Sequence, residues 1–214
     1  MNSKASRRVL GVAMSYLLLA AALVGVTALV TSRAVSDDKK QPADDAKENE
    51  MMAKWAAAGT PGEFHKKLDA FVGDWKGVSK FWMDPSQEPM TSKATMKNTW
   101  IFGGRFLKQE YKGQVTGQPF EGFGLWGYDN LKKKYTSTWT DSMSTAIMAE
   151  LGTCDASGKT FTLFGSHDDP ITGKAVKTKS ITRIINKDKH VFEMYEPGPD
   201  GKLFKNLEIV YTRK

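Results

Sequence analysis

The chain has 214 residues, 40% of them hydrophobic, and a formal net charge of +7, which suits one ordinary core plus an appendage rather than two full domains. The charge does not point to nucleic acid: Lys4, Arg7, Arg8 and Arg33 flank a single apolar run, and without those four the chain from residue 37 onward carries +3, its lysines scattered among acids. The one cysteine, Cys154, excludes an intrachain disulfide and lies too far from the N-terminus to carry a lipid behind the apolar run; it reads as a small hydrophobe on a strand.

Residues 1–8 are basic, and residues 9–30 form an uncharged run of 22 residues rich in Leu, Ala and Val. A signal-peptide core takes about 7–15 residues and a bilayer span about 20. Residues 1–36 are therefore expected to be a retained transmembrane anchor, with a cleaved signal peptide as the alternative. The basic flank directs the N-terminus to the cytoplasm and the remainder outside it, tethered to the membrane or periplasmic. Residues 37–50 are charged and lack large apolar groups, so a flexible linker is expected there.

Residues 51–58 can form a short helix that Gly59 ends. Thr60-Pro61-Gly62-Glu63 then reads as a capping box with Pro61 at the first helical position. The helix behind it carries Phe64, Leu68 and Phe71 on one stripe, which must lie on something. From Gly73 onward the chain consists of β-branched and aromatic runs separated by turn residues. Strands are expected at 75–82, 93–101, 106–115, 120–128, 134–141, 147–154, 160–165, 176–185, 190–196 and 203–213.

Alternation places Tyr135, Ser137, Trp139 and Asp141 on one face and the intervening Lys and Thr residues on the other; Leu203, Leu207, Ile209 and Tyr211 share a face in the last strand, with Lys205 breaking its pattern. The expected fold class is all-β: about ten antiparallel strands within residues 51–214, preceded by a short helix, suit an up-and-down barrel or a sandwich, and the barrel is the one expected. Closure removes the exposed edges that so many short strands would otherwise leave.

The stretch from Leu68 to Gly77, with its Gly73-Asp74-Trp75 opening, resembles the helix and first strand of lipocalin-like, or calycin, barrels. That resemblance implies that Gly73 turns the chain into the first strand, that Trp75 plugs the barrel floor, and that a basic residue of the last strand covers it. Arg213 has the parity for such a cation–π contact. Gly103-Gly104-Arg105-Phe106, Pro119-Phe120-Glu121-Gly122, Gly127-Tyr128-Asp129-Asn130, Ser137-Thr138-Trp139-Thr140-Asp141 and Phe192-Glu193-Met194-Tyr195-Glu196 resemble the bacterial family known as domain of unknown function 1579. This resemblance implies a lipocalin-like barrel and brings no activity or catalytic residue with it.

Gly122-Phe123-Gly124-Leu125-Trp126-Gly127 spells the dinucleotide fingerprint, but Tyr128-Asp129-Asn130 turns into another strand where a phosphate-binding helix would have to begin. The glycines are expected to relieve crowding at a bend in the strand. His65, His167 and His190 are isolated and read as surface or turn residues; only an inward-turned His190 resembles the single histidine by which some calycin-like barrels hold haem. No metal or cofactor is expected. No serine lies in a nucleophile elbow.

Two classes of function remain, besides a purely structural or interaction domain. In the favoured one the barrel binds a small hydrophobic or amphipathic ligand against Trp100, Trp126, Trp139 and Met194, with Arg105 orienting its polar end and Asp141 a further candidate ligand-binding residue. In the other, a hydrolase or isomerase, two of Asp129, Asp141 and Glu208 converge in one cavity as acid and base.

Overall fold

The computed structural model describes residues 42–214. The expected anchor or signal at 1–36 and the first residues of the expected linker lie outside the described residues. Among the described residues no helix is long and apolar enough to cross a membrane.

Helix α1, Pro42–Gly59, begins well before the expected residue 51, so much of the segment read as a flexible linker is helical. Little of that segment is buried, as its composition implies: residues 45–50 are all exposed, and Met51, Met52 and Trp55 of the following turns are more than half exposed. Helix formation here rests instead on local propensity, since the segment is rich in Ala, Glu, Lys and Met and pairs Glu50 with Lys54 at 2.6 Å one turn apart. Its C-terminal carbonyls are held from the barrel. Asn130 donates through Nδ2 to the carbonyls of Thr60, Ala58 and Ala57 at 2.8, 3.1 and 3.3 Å, satisfying groups that a helix end leaves open.

Thr60 does not open the next helix. Its hydroxyl donates back to the Ala56 carbonyl at 2.6 Å, and α2, Glu63–Lys66, is capped at Gly62, whose N–H donates to His65 Nδ1 at 3.1 Å. A 3₁₀ segment, Lys67–Phe71, continues α2. Leu68 and Phe71 from this segment are essentially inaccessible, while Phe64 stacks on Tyr128 at 4.6 Å. The apolar stripe is thus real, and the tighter 3₁₀ winding brings Phe71 over the barrel end.

Ten strands follow: β1 (Gly73–Phe81), β2 (Met90–Ile101), β3 (Phe106–Val115), β4 (Gln118–Asp129), β5 (Lys134–Asp141), β6 (Met148–Cys154), β7 (Thr160–Asp168), β8 (Ala175–Asn186), β9 (Lys189–Pro197) and β10 (Leu203–Arg213). Each pairs antiparallel with its neighbours in sequence, and β1 with β10 closes the barrel. The up-and-down topology is consistent with the lipocalin-like expectation.

The parity irregularity at Lys205 has a cause in the ladder: the β9–β10 register shifts between Lys205 and Leu207. The extra residue of the bulge, Asn206, sends its carbonyl to Trp82 N–H at 2.8 Å, and a bulge of this kind resets which face each side chain takes.

Two clusters pack the inward side chains, the first at the closed end and the second running from Trp75 there along β2, β3 and β10. One joins Leu68, Phe71, Leu107, Trp126, Tyr135 and Phe161; the other centres on Trp75, Met96, Tyr111, Ile209 and Tyr211. Trp75 is 1% exposed. Its Nε1–H donates to the Phe71 carbonyl at 2.8 Å, as does Nδ2 of the fully buried Asn98. The Arg213 guanidinium lies 4.2 Å from the Trp75 ring centroid, as the family resemblance implied. Gly73 has φ +118°, and a Cβ there would come within 2.8 Å of Arg213 Nη1. The glycine of the Gly-x-Trp opening is therefore required both by conformation and by the arginine beside it.

Candidate ligand-binding cavity

Beyond the two clusters the barrel is not filled. A cavity of about 1410 Å³ runs from Phe71, Trp126 and His190 at the closed end to Met143, Thr116 and Phe81 at the ends of the hairpins opposite. It exceeds the roughly 300–1,000 Å³ of ordinary small-molecule sites.

The walls differ in chemistry. Ala94 and Met96 of β2, Tyr111 of β3, Phe192 and Met194 of β9 and Ile209 of β10 make a mainly apolar side, broken by Ser79, Ser92 and Gln109, while Ser137 of β5, Glu150 of β6 and Ser180 and Thr182 of β8 make a more polar one that also carries Trp139, Met148 and Leu163. This division follows from strand parity. On β8 the inward positions Thr178, Ser180 and Thr182 are all hydroxylated and all buried, where an apolar core would have placed Val or Ile.

Four of the six expected ligand residues, Trp126, Trp139, Asp141 and Met194, border this space. Trp100 does not. It has the parity of Met96, but it sits so far toward the closed end that its Nε1–H donates to Asp69 Oδ1 at 2.8 Å and its ring packs on the first cluster. Arg105 is also absent from the cavity: it lies in the β2–β3 turn and donates to the Phe102 carbonyl at 2.8 Å. No cation from that position meets a ligand's polar end.

The carboxylates of the acid–base alternative do not converge. Asp129 accepts from the N–H groups of Leu131 and Lys132 at 2.8 and 2.9 Å and so closes its own turn. Glu208 joins Lys205, Glu193, Arg183 and Tyr195 in a network on the outer face of β8–β10. Only Asp141 of the three borders the cavity. Its Oδ2 accepts from Trp139 Nε1–H at 3.0 Å and its Oδ1 from the Met143 N–H at 2.9 Å.

The glycines of β4 make room for that tryptophan. A Cβ on Gly122 would fall 2.1 Å from Trp139 Cζ2, and one on Gly124 would fall 3.1 Å from Trp139 Cε3. Close approach of the indole, rather than a bend in the strand, explains why glycine recurs there. Gly122→Ala should force Trp139 off Asp141, cost about 1–3 kcal/mol through overpacking, and change the cavity wall; urea unfolding and the indole Nε1–H resonance check this. An unmoved resonance would contradict the geometry.

His190 corrects the surface reading. Its register opposite Tyr211 turns it inward, where it is 4% exposed, stacks on Tyr211 at 4.6 Å and meets Trp75 and Phe71 edge-on at 4.3 and 5.1 Å. Burial and the nearby Arg213 push its pKa down to about 3. His65 is buried as well, at 5%. Two isolated histidines on polar stretches give no sequence signal of burial; their aromatic neighbours come from distant strands.

Glu150 was missed by the sequence reading. It shares the inward parity of Met148 and Cys154 on β6 and accepts hydrogen bonds from Ser180 Oγ at 2.8 Å and Thr178 Oγ1 at 3.3 Å. Desolvation raises its pKa despite those two bonds. The available signal was a lone acid at an inward position of a strand. Cys154, at the end of the same strand, is half-buried against the first cluster.

Among solved structures, the chain is similar to the crystal structure of Rv2717c from M. tuberculosis, with a TM-score of 0.55 at 17% identity over 72% of this chain and 99% of that one. It is also similar to a redesigned β barrel, with a TM-score of 0.38 at 14% identity over 69% of this chain and 95% of that one. The first shows a shared fold. Comparison with curated proteins gives no match. The family model described as Protein of unknown function (DUF1579) matches residues 60–213, from the residue that closes α1 to the arginine that covers Trp75, and the chain belongs to that family.

Proposed function

We propose that the barrel is a binding module for a small amphipathic ligand, held outside the cytoplasm by the apolar segment at residues 9–30. The observation that carries this reading is the unfilled interior of about 1410 Å³ with one mainly apolar and one more polar wall. Empty apolar volume costs a protein packing energy that solid cores recover, so a barrel left this open is consistent with a space kept for an occupant. The hairpin ends at the mouth support an apolar entrant: Met83, Met143, Ile147 and Ile171 are 68–92% exposed.

The full chain, purified from its host and examined by native mass spectrometry, is expected to retain a small molecule or to take up the neutral probe N-phenyl-1-naphthylamine at one per barrel. Met194→Trp, which places a large ring in the cavity, should weaken that uptake at least about tenfold, a loss of about 1.4 kcal/mol. A clean mass together with no probe uptake would remove the binding reading. Separation of host membranes from soluble fractions tests the anchor independently: the chain should sediment with membranes.

A further inference from the structure

The charge of the cavity sets the chemical class of what it takes. Glu150 lies half-buried on the polar wall, and its ladder partners are Ser137 on β5 and Gly165 on β7. The groups that reach its carboxylate are the hydroxyls of Thr178 and Ser180. Neither hydroxyl carries charge, and none of these ladder and hydrogen-bond partners is a cation. Asp141, the other acid bordering the space, is likewise satisfied by neutral N–H donors.

The cations around the cavity do not answer these acids. Lys93 and Lys112 border it, but they alternate with the inward-facing Ala94 and Tyr111 and are exposed; Lys112 pairs with Glu121 at 3.0 Å. His190 at the closed end stays neutral under its aromatic neighbours. The fold also makes room for the acid. A Cβ on Gly165 would meet the Ala149 carbonyl oxygen at 2.5 Å before Glu150 Cγ at 2.9 Å and Thr178 Oγ1 at 3.3 Å, so the backbone of β6 already requires glycine here, and its bareness also leaves room between the carboxylate and Thr178.

A carboxylate partly withdrawn from water without a counter-charge loses hydration that nothing charged replaces, and charge-assisted hydrogen bonds are the strong ones. We propose that the ligand of this cavity is a cationic amphiphile: a protonated amine that docks on Glu150, with its apolar body against Met96, Phe192 and Met194. This rests on the cavity being a ligand site, and it reverses the sign expected when Arg105 was taken as the polar anchor. The hydroxyls of Ser180 and Thr178 hold the carboxylate in place, and the remaining lone pairs of Glu150 accept from the ammonium.

Titration calorimetry of the full chain at pH 7.5 with 4-phenylbutylamine, 4-phenylbutan-1-ol and 4-phenylbutyrate separates charge from shape. The amine is expected to bind at least about tenfold more tightly than the alcohol, and the carboxylate more weakly than either. In Glu150→Gln, whose amide oxygen can accept from one hydroxyl while its nitrogen donates to the oxygen of the other, the amine should fall to the affinity of the alcohol while the alcohol itself moves less than about twofold. Glu150→Asp should restore part of the amine preference, and thermal unfolding of both variants reports whether the barrel is intact. Equal binding of amine and alcohol, or an amine preference that survives Glu150→Gln, overturns the inference and leaves the cavity reading standing. Failure of all three compounds and of N-phenyl-1-naphthylamine overturns both.

Discussion

Trp75→Ala should destabilise the barrel by about 3–5 kcal/mol, the range for removing a fully buried large aromatic from a core. The value belongs at the upper end because three kinds of contact are lost together. The ring is 1% exposed, its Nε1–H satisfies the Phe71 carbonyl at 2.8 Å, and its face carries Arg213 at 4.2 Å. Arg213 in turn donates to the carbonyls of Val72, Ala70 and Lys187 at 2.8, 3.3 and 2.9 Å, fastening the segment before β1 to the β8–β9 turn. Without the indole the guanidinium loses its cation–π partner but keeps those acceptors. Arg213→Lys, which retains charge and loses the planar fork, should therefore cost less, about 1–2 kcal/mol. Urea unfolding of the two variants checks the order, and a Trp75→Ala barrel as stable as the parent would refute the plug.

Acid sensitivity is the second large effect, and His190 sets its sign. The imidazole has a pKa of about 3 in the barrel and about 6.5 in an unfolded chain. Above pH 6.5 neither state is protonated and the contribution is fully present. Below it the unfolded chain binds a proton that the barrel refuses, so stability falls by about 1.4 kcal/mol per pH unit until the folded histidine itself titrates near pH 3. Glu150 acts in the opposite direction. Its raised pKa lets the folded state take up a proton first, adding stability as pH falls through its range and partly offsetting His190.

His190→Phe keeps an aromatic ring against Tyr211 and Trp75 and removes the titration; the Nδ1 it deletes has no hydrogen-bond partner. Stability of this variant, measured by urea unfolding at several pH values between 4 and 6.5, should show a slope smaller by about one proton than the parent's. A slope unchanged by the substitution would mean that His190 is not held neutral.

The strands were legible because period-two alternation and turn residues are local properties. The segments 106–115, 134–141 and 203–213 match β3, β5 and β10 end to end, and the remaining strands differ by a few residues at their ends. The Trp75–Arg213 pair was legible from the resemblance to lipocalin-like barrels, with the parity of the last strand singling out Arg213. The C-terminal half of α1, up to Gly59, was legible, but its first half was taken for linker on a burial argument, whereas local propensity and the hold of Asn130, about seventy residues away, support the helix.

Within each regular run of strand the sequence by itself determined which side chains share a face, because that depends only on the parity of neighbouring residues; across the β10 bulge it did not, and Leu203, expected on the face of Leu207, points outward. Only the tertiary structure decided how far along the barrel axis each of them sits, because that depends on the register accumulated around all ten strands and on the bulge between Lys205 and Leu207. Trp100 and Trp126 share inward parity, yet the first ends beside Asp69 outside the cavity and the second at its closed end. Glu150 became a candidate anchor only when β6 met β8 across β7, bringing Thr178 and Ser180 to its carboxylate and no cation with them.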